Sequence, residues 1–415
     1  MKTSLRPLVA RASLQHSCHP YQCQRFERVL SRGLCAHSTH TDRSIEGSVT
    51  GLNLLALNVG STTVKGATYA LEYSDLNAQP RLLECSRAEI QAGAEPQELL
   101  TLLLDALPEP AQRPDVVVHR IVHGGNLCGG HELDGAILAE LEALAPLAPL
   151  HQPAALTVAR AAGQRWPQSR HGVAFDTSFH ASLAPWSRRL PIPRDWDALG
   201  VRRYGFHGLA FASALREVAA QDATVLRGPA VFAHLGGGCS VCAVEDGVSR
   251  DTTMSLTPLG GVPGPTRSGD LDPGVLLYML RQNGGDVNAT ELRLFHAGGL
   301  AGIAGHGDMR VLLADSEPSA QLAVELFTVR IAQSIAAMAT GINGVNHLVF
   351  SGGIGHRAAL VRARIVARLE WLGLALDTDL NNAGATRIDA RTGPGIWNVA
   401  VDEERELAES ALVWL

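Results

Sequence analysis

The stretch Leu52–Leu71, LNLLALNVGSTTVKGATYAL, sets the fold class. An apolar run of strand length, LNLLALNV, meets the turn residues Gly60-Ser61-Thr62-Thr63 and continues as a second run, VKGATYAL. Short apolar runs bounded by turn residues read as strands. The same order recurs downstream, where Ala230–Leu235 and Ser240–Glu245 flank Gly236-Gly237-Gly238. Helical patterns follow both copies: Pro96 to Leu107, Leu133 to Leu144 and Ala154 to Gln164 after the first, and Gln321 to Met338 and Ala358 to Leu372 after the second. A further helix, Arg405 to Trp414, ends the pattern. Strand, glycine-rich turn, strand and helices, used twice, predict a duplicated α/β fold with a cleft between its halves.

Composition bounds the function classes. A chain of 415 residues with a net charge of −6 has room for two cores and shows no basic surface. No nucleic-acid partner is implied, and no apolar run of membrane-span length is read. Lys2 and Lys65 are the only lysines among 35 basic residues, so the ammonium of Lys65, in the first strand–turn–strand, reads as one that a guanidinium cannot replace. Cys239 and Cys242 form a C-x-x-C without further ligands nearby and read as small buried hydrophobes. Residues 1–51 carry six arginines and three acids, as an unstructured or targeting extension would. The expectation is a cytoplasmic protein, or an organellar one if that extension acts as a transit peptide.

The loop Asp251–Gly274, DTTMSLTPLGGVPGPTRSGDLDPG, has four prolines and little to bury. Loops of this length without secondary structure are functional or disordered, and its low charge opposes disorder. It holds one cation, Arg267, with Asp251, Asp270 and Asp272. A second arginine, Arg120, follows the valine run Val116-Val117-Val118 at the end of a predicted buried strand. Two such arginines read as a clamp on an anion. No GxxxxGK[ST] motif is present, which excludes a P-loop kinase.

Nine motifs then line up: NVGSTTVK from Asn58, HRIVHGG from His119, FDTSFH from Phe175, RYGFHG from Arg203, HLGGGCS from His234, DTTMSLTPLGG from Asp251, TRSGDLDPG from Thr266, GIAGHGDMR from Gly302 and SGGIG from Ser351. In this order the set resembles the acetate kinase (acetokinase) family, over about Asn53 to Leu415. That family belongs to the superfamily of acetate and sugar kinases, heat-shock chaperones and actin. The resemblance implies a duplicated actin-like (ribonuclease H-like) fold with an interdomain catalytic cleft. One domain would span 52–180, completed by 403–415, and a nucleotide-binding one 181–402. It also implies a homodimer and phosphoryl transfer between ATP and acetate, giving acetyl phosphate and ADP with Mg²⁺ (or Mn²⁺). A carboxylate acceptor is ionised at neutral pH and needs no base. The obstacle is repulsion between two anions, so positioning, cations and metal must do the work.

Carried over residue by residue, the resemblance gives Arg120 and Arg267 to the carboxylate and the moving phosphoryl group. His207 would hydrogen-bond the phosphoryl oxygens, and Asp176 would stand near the metal and the attacking oxygen. Asn58 and Glu403 match the polar groups around Mg²⁺, with Glu404 a competitor for Glu403. Val122, Leu150, Phe206 and Pro258 match the methyl pocket, which leaves propionate as an alternative acceptor. His234, Leu235, Gly236, Gly237 and Gly238 match phosphate-contacting positions, and Lys65, singled out by its rarity, is expected with them at the nucleotide. Asp308, Met309 and Arg310, with Gly352, Gly353, Ile354 and Gly355, match the surroundings of ribose and adenine. The sequence departs from the family pattern at Gly237, where asparagine is common, at Leu209-Ala210-Phe211, at Gln152 and at His356-Arg357. These departures bear on nucleotide affinity, and they leave a weakly active nucleotide-binding paralogue as a further alternative.

Overall fold

The computed structural model describes residues 51–60, 63–72, 81–91, 96–107 and 113–415. The extension read over the first residues, up to residue 50, lies outside the described residues, as do Ser61 and Thr62 of the first turn.

Two mixed sheets carry the molecule. The first contains β1 (Leu52–Val59), β2 (Thr63–Glu72), β3 (Arg81–Gln91), β4 (Val116–Ile121), β5 (His131–Glu132) and β6 (Arg170–Phe175), in the order β3-β2-β1-β4-β6-β5. The second contains β7 (Pro229–Leu235), β8 (Cys239–Glu245), β9 (Val248–Thr252), β10 (His347–Ser351) and β11 (Gly395–Asn398), in the order β11-β10-β7-β8-β9. In each sheet an antiparallel three-strand meander is extended by parallel strands beside its first strand, β4 and β6 in one and β10 and β11 in the other. The duplication expected from the two strand–turn–strand units is therefore a shared topology. β1, β4 and β7 are almost wholly buried, as strands covered on both faces must be.

Helices cover both sheets. We label α1 (Gly135–Ala143), α2 (Gln152–Arg165), α3 (Gly208–Ala219), α4 (Pro273–Gln282), α5 (Val287–His296), α6 (Pro318–Gly341), α7 (Gly352–Arg357) and α8 (Glu403–Ala411). Proline in the first turn starts α2, α4 and α6, where its missing N–H costs nothing. α1 begins two residues later than the pattern from Leu133 predicts. Asp134 caps it by accepting from Ile137 N at 2.8 Å, and His131-Glu132 pair instead with β6. α6 is long and apolar enough to cross a membrane by composition, and half of that stretch is buried against the second sheet. β3, β9, β11, α4 and α5 were not read from the sequence.

The last helix, α8, sits at the junction. Leu407, Ala408 and Ala411 pack with Leu54, Ala56 and Val118 of the first sheet and with Leu209 of α3. Arg216 of α3 clasps Glu406 through two contacts of 2.8 and 3.0 Å, and Asp402 N donates to Ser213 Oγ at 2.8 Å. Its first turn is acidic, which suits the positive end of a helix and leaves Glu403 at the tip.

Candidate active site

Strand ends of the first sheet build one wall. β4 carries Arg120 near its end, and Asp176 follows β6 directly. Their parallel pairing places Arg120 beside Ala174, within reach of Asp176. The pair is bidentate: Arg120 Nε donates to Asp176 Oδ1 at 2.8 Å and Nη2 to Oδ2 at 2.6 Å. Arg120 Nη1 donates to Asn58 Oδ1 at 2.9 Å and lies 3.4 Å from Glu403 Oε2. Burial opposes charge on all of them. Asp176 is raised by burial, with Arg120 pulling against it. Burial also works against Glu403, yet Arg120 holds it below the ordinary carboxylate range.

Glu403 and Glu404 separate cleanly here. Asn58 Nδ2 donates to both, at 2.9 Å to Glu403 Oε2 and 2.7 Å to Glu404 Oε1. Glu403 lines the cavity, whereas Glu404 turns back to Arg87, 3.1 Å away.

The opposite wall comes from α3, the β7–β8 turn and the proline-rich loop. His207 caps α3 in a left-handed conformation, φ 61°. That geometry lets Gly208 N donate to Asp176 O at 2.9 Å; a Cβ on Gly208 would lie 2.1 Å from the same oxygen. His207 Nδ1 is 2.9 Å from Ser240 Oγ, and its ring centroid is 4.7 Å from that of His234, whose Nδ1 meets Ser351 Oγ at 3.1 Å. Burial holds His207 well below its usual value, with His234, Arg120 and Arg267 adding to the effect. Arg267 is 8% exposed, and its one side-chain hydrogen bond among the described residues is to Pro258 O at 3.4 Å. Among the described residues no carboxylate pairs with it. Burial, with Arg120 nearby, lowers its pKa. A Cβ at 238 would stand 2.9 Å from Arg267 Nη1 and 3.0 Å from His207 Nε2, so a side chain there would push against both groups.

These walls enclose a cavity of about 170 Å³. The four residues expected at the reaction, Arg120, Asp176, His207 and Arg267, all line it. Val122, Phe206 and Pro258 are its apolar lining, and Ala148 and Met254 pack with Val122 and Phe206. Gly237, Gly238 and His234 line it as well. A buried guanidinium with no carboxylate partner among the described residues, facing a small cavity with apolar lining, suits an anion with a short carbon tail.

Other expected residues stand elsewhere. Leu150 does not line the cavity; His151, its neighbour and the cap of α2, does. Sequence reading missed His151 and Gly60. The signal for His151 was its place before Gln152-Pro153, where a helix starts. Its Nδ1 is buried without a hydrogen-bond partner, and burial, followed by Arg267 and Arg120, lowers its pKa to about 3. Lys65 does not line the cavity either. It is on β2, half-exposed, 3.6 Å from Glu89 on β3, and reaches the site only as a field on Glu403 and Glu404. Leu235 is fully buried in the second core, and Gly236 closes the β7–β8 turn through its N–H to Gly238 O, at 3.0 Å.

Gly352, Gly353, Ile354 and Gly355 form the start of α7 rather than an open loop. A Cβ on Gly352 would lie 2.6 Å from Leu235 O, whereas Gly353 faces open space. Asp308 caps the helix Met309–Ala314 and pairs with the exposed Arg310 at 2.7 Å; Met309 is buried in the second core. None of these seven residues lines the cavity, so any contact they make is with a ligand extending beyond it. Of the departures, Gln152 ties the end of β4 to α1, accepting from His123 N and donating to His123 O and Leu141 O at 3.0–3.1 Å. Phe211 is core, and His356 Nδ1 meets Asn398 Oδ1 at 2.9 Å.

Comparison with known proteins decides the family. The sequence profile described as the Acetokinase family matches residues 54–405. The chain belongs to the acetokinase family. It is 37% identical over 394 residues to an acetate kinase of Ectopseudomonas mendocina, covering 88% of this chain and 99% of that one. It is 40% identical over 313 residues to one of Rhodopseudomonas palustris, covering 74% and 78%. Among solved structures, a propionate kinase of Francisella tularensis is similar with a TM-score of 0.76 at 32% identity, covering 86% and 98%. An acetate kinase of Porphyromonas gingivalis gives 0.73 at 26% identity, with the same coverage. As a member of this family the chain is an enzyme, a kinase, and its fold is the duplicated actin-like one.

A divalent cation fits the donor set in one way. Among the described residues no three His, Cys, Asp or Glu side chains are arranged to hold a metal ion. Asp176 is committed to Arg120, and Asn58 gives its oxygen to Arg120. That leaves Glu403, a single hard-oxygen donor. Mg²⁺ typically takes one or two carboxylates, keeps waters and binds substrate phosphates, so sparse ligation of this kind suits it.

Proposed function

We propose that the enzyme is an acetate kinase, transferring the terminal phosphoryl group of ATP directly to acetate, and reversibly. The observation that carries this is Arg267, a buried guanidinium without a carboxylate, facing the same small cavity as the Arg120–Asp176 pair. An acetate carboxylate placed beside Arg267 would complete its charge, with the methyl group against Val122, Phe206 and Pro258. Arg120, held rigidly by Asp176 and Asn58, would orient the incoming phosphoryl group, and neutral His207 would contact an equatorial oxygen through Nε2. The glycines of the β7–β8 turn would present backbone N–H groups to the remaining phosphates. Mg²⁺ would be held by Glu403 with Asn58 behind it, and would neutralise charge on the nucleotide phosphates. Closure of the two units, 52–180 with 403–415 and 181–402, would keep water from the phosphoryl group.

Propionate is the second acceptor, favoured by the similarity to a propionate kinase and by the small energetic difference of one methylene, about 1–3 kcal/mol. We also infer a homodimer. α4 has no buried residue and exposes Val275, Leu277 and Tyr278, and α5 exposes Val287 and Leu292, an apolar face that a second copy would cover. The test of function is incubation with ATP, Mg²⁺, hydroxylamine and acetate, propionate or butyrate. Acyl hydroxamate should form with acetate and propionate. None above a control without carboxylate would refute the kinase reading.

A further inference from the structure

The wall made by the first sheet is anchored by a residue that the chemistry above does not use. Arg87 lies on β3, the outermost strand of that sheet, and its guanidinium spans three carboxylates. Nε and Nη2 donate to Glu84 at 3.1 and 2.9 Å, Nη2 to Asp402 Oδ2 at 2.6 Å, and Nη1 to Glu404 Oε2 at 3.1 Å. Asp402 is the cap of α8, so Arg87 fixes the start of the helix that carries Glu403. The other oxygen of Glu404 accepts from Asn58 Nδ2 at 2.7 Å. A row of partners thus runs without a gap from the outer strand to the cavity: Glu84, Arg87, Glu404, Asn58, Arg120, Asp176.

Asn58 is the hinge of this row. Its two N–H bonds serve Glu404 and Glu403, and its oxygen serves Arg120. The amide therefore has one orientation only while both glutamates stay in place. Among the described residues Arg87 is the only cation within 4 Å of Glu404. Without it, Glu404 would compete with Asp176 and Glu403 for Arg120, and Asn58 would lose its fixed partner on one side. We propose that Arg87 is a positioning residue for phosphoryl transfer, holding Glu404 so that Asn58 keeps the Glu403 carboxylate turned into the cavity. This rests on the kinase reading above, because it assigns Glu403 to the divalent cation.

The test compares wild type with Arg87→Gln and Arg87→Lys in the full chain. Bound Mn²⁺ is counted by electron paramagnetic resonance in the presence of ADP, and the hydroxamate assay gives kcat and KM for acetate. Loss of a partner one shell behind a metal ligand typically costs about 10–100-fold. Arg87→Gln should therefore weaken Mn²⁺ binding about tenfold and lower kcat about tenfold, with KM for acetate little changed. Arg87→Lys should recover most of the loss. If Arg87 only glues β3 to α8, Arg87→Gln will lower the thermal midpoint while the folded protein keeps wild-type Mn²⁺ binding and kcat, and that result overturns the proposal. Should Arg87→Gln fail to fold, Glu84→Gln frees only the outer side of Arg87 and should weaken Mn²⁺ binding by about two- to threefold; no change overturns it. Wild-type protein that forms no hydroxamate refutes the kinase reading instead.

Discussion

The two walls of the cavity handle charge in opposite ways. On the first-sheet side every charge has a partner: Arg120 is shared by Asp176 and Glu403, and Glu404 is held by Arg87. On the side built by α3, the β7–β8 turn and the proline-rich loop, Arg267 has no carboxylate partner among the described residues, and burial disfavours charge on its neighbours His207 and His234. The first wall is a rigid frame that would stand without ligand. The second holds a cation whose partner is expected to be the substrate.

Removing each arginine should break the comparison most sharply. Arg267→Ala should lower hydroxamate formation by about 10³-fold or more, as loss of a cation from a phosphoryl-transfer site does. It should leave the thermal midpoint unchanged or higher, because it removes an unpaired buried charge. Arg120→Ala should also abolish activity, but it strands Asp176 and should cost about 3–5 kcal/mol of stability. Equal destabilisation by both substitutions would show that Arg267 is a structural residue and that the contrast is false.

Acid should sharpen the difference next. Burial lowers His151 and His119 to about 3 and His123 and His180 to about 4, against 6.5 in the unfolded chain. Below 6.5 the unfolded state therefore binds more protons than the folded one, and stability falls as pH falls. Each such histidine contributes about 1.4 kcal/mol per pH unit until its folded value is reached. Urea unfolding should show a flat stability from pH 8 to 7 and a steep loss from about 6 to about 4. His119→Asn, in the first sheet and away from the cavity, should reduce that slope by one histidine while leaving the hydroxamate yield at pH 7 intact. A slope unchanged by that substitution would refute the assignment.

The smallest effect concerns the glycine turn. Gly237 lines the cavity, a Cβ there would meet nothing within 4 Å, and its φ is not in the left-handed region. Gly237→Asn should therefore fold normally. One added hydrogen bond, about 0.5–1.5 kcal/mol, should lower KM for ATP about two- to tenfold without changing kcat. An unchanged KM would place the nucleotide phosphates away from this turn.

Strand–turn–strand units and the order of motifs were legible because each is local. β1 and β7 are continuous apolar runs, and Arg120 and Arg267 stood out as cations in settings that bury them. Their convergence is a tertiary fact, and here only the family resemblance supplied it. β3 was not legible because its residues face partly to solvent and its sequence, RLLECSRAEIQ, has no clean alternation. α4 and α5 bury almost nothing within one chain, so no core-facing stripe marked them. Lys65 stood out by rarity, and its strand position sets it beside Glu89 and off the cavity, which rarity does not encode. Leu150 and His151 differ by one residue, and which of two neighbours faces a pocket depends on how α2 is capped, which a one-residue window does not encode.

Asn58 and Glu403, in contact, are 345 residues apart. A ribosome must therefore deliver everything from β1 to α8 before the two can meet, and until then the cation-facing wall stays unfinished. Any product terminated ahead of α8 is then expected to emerge inert however well its earlier strands have paired.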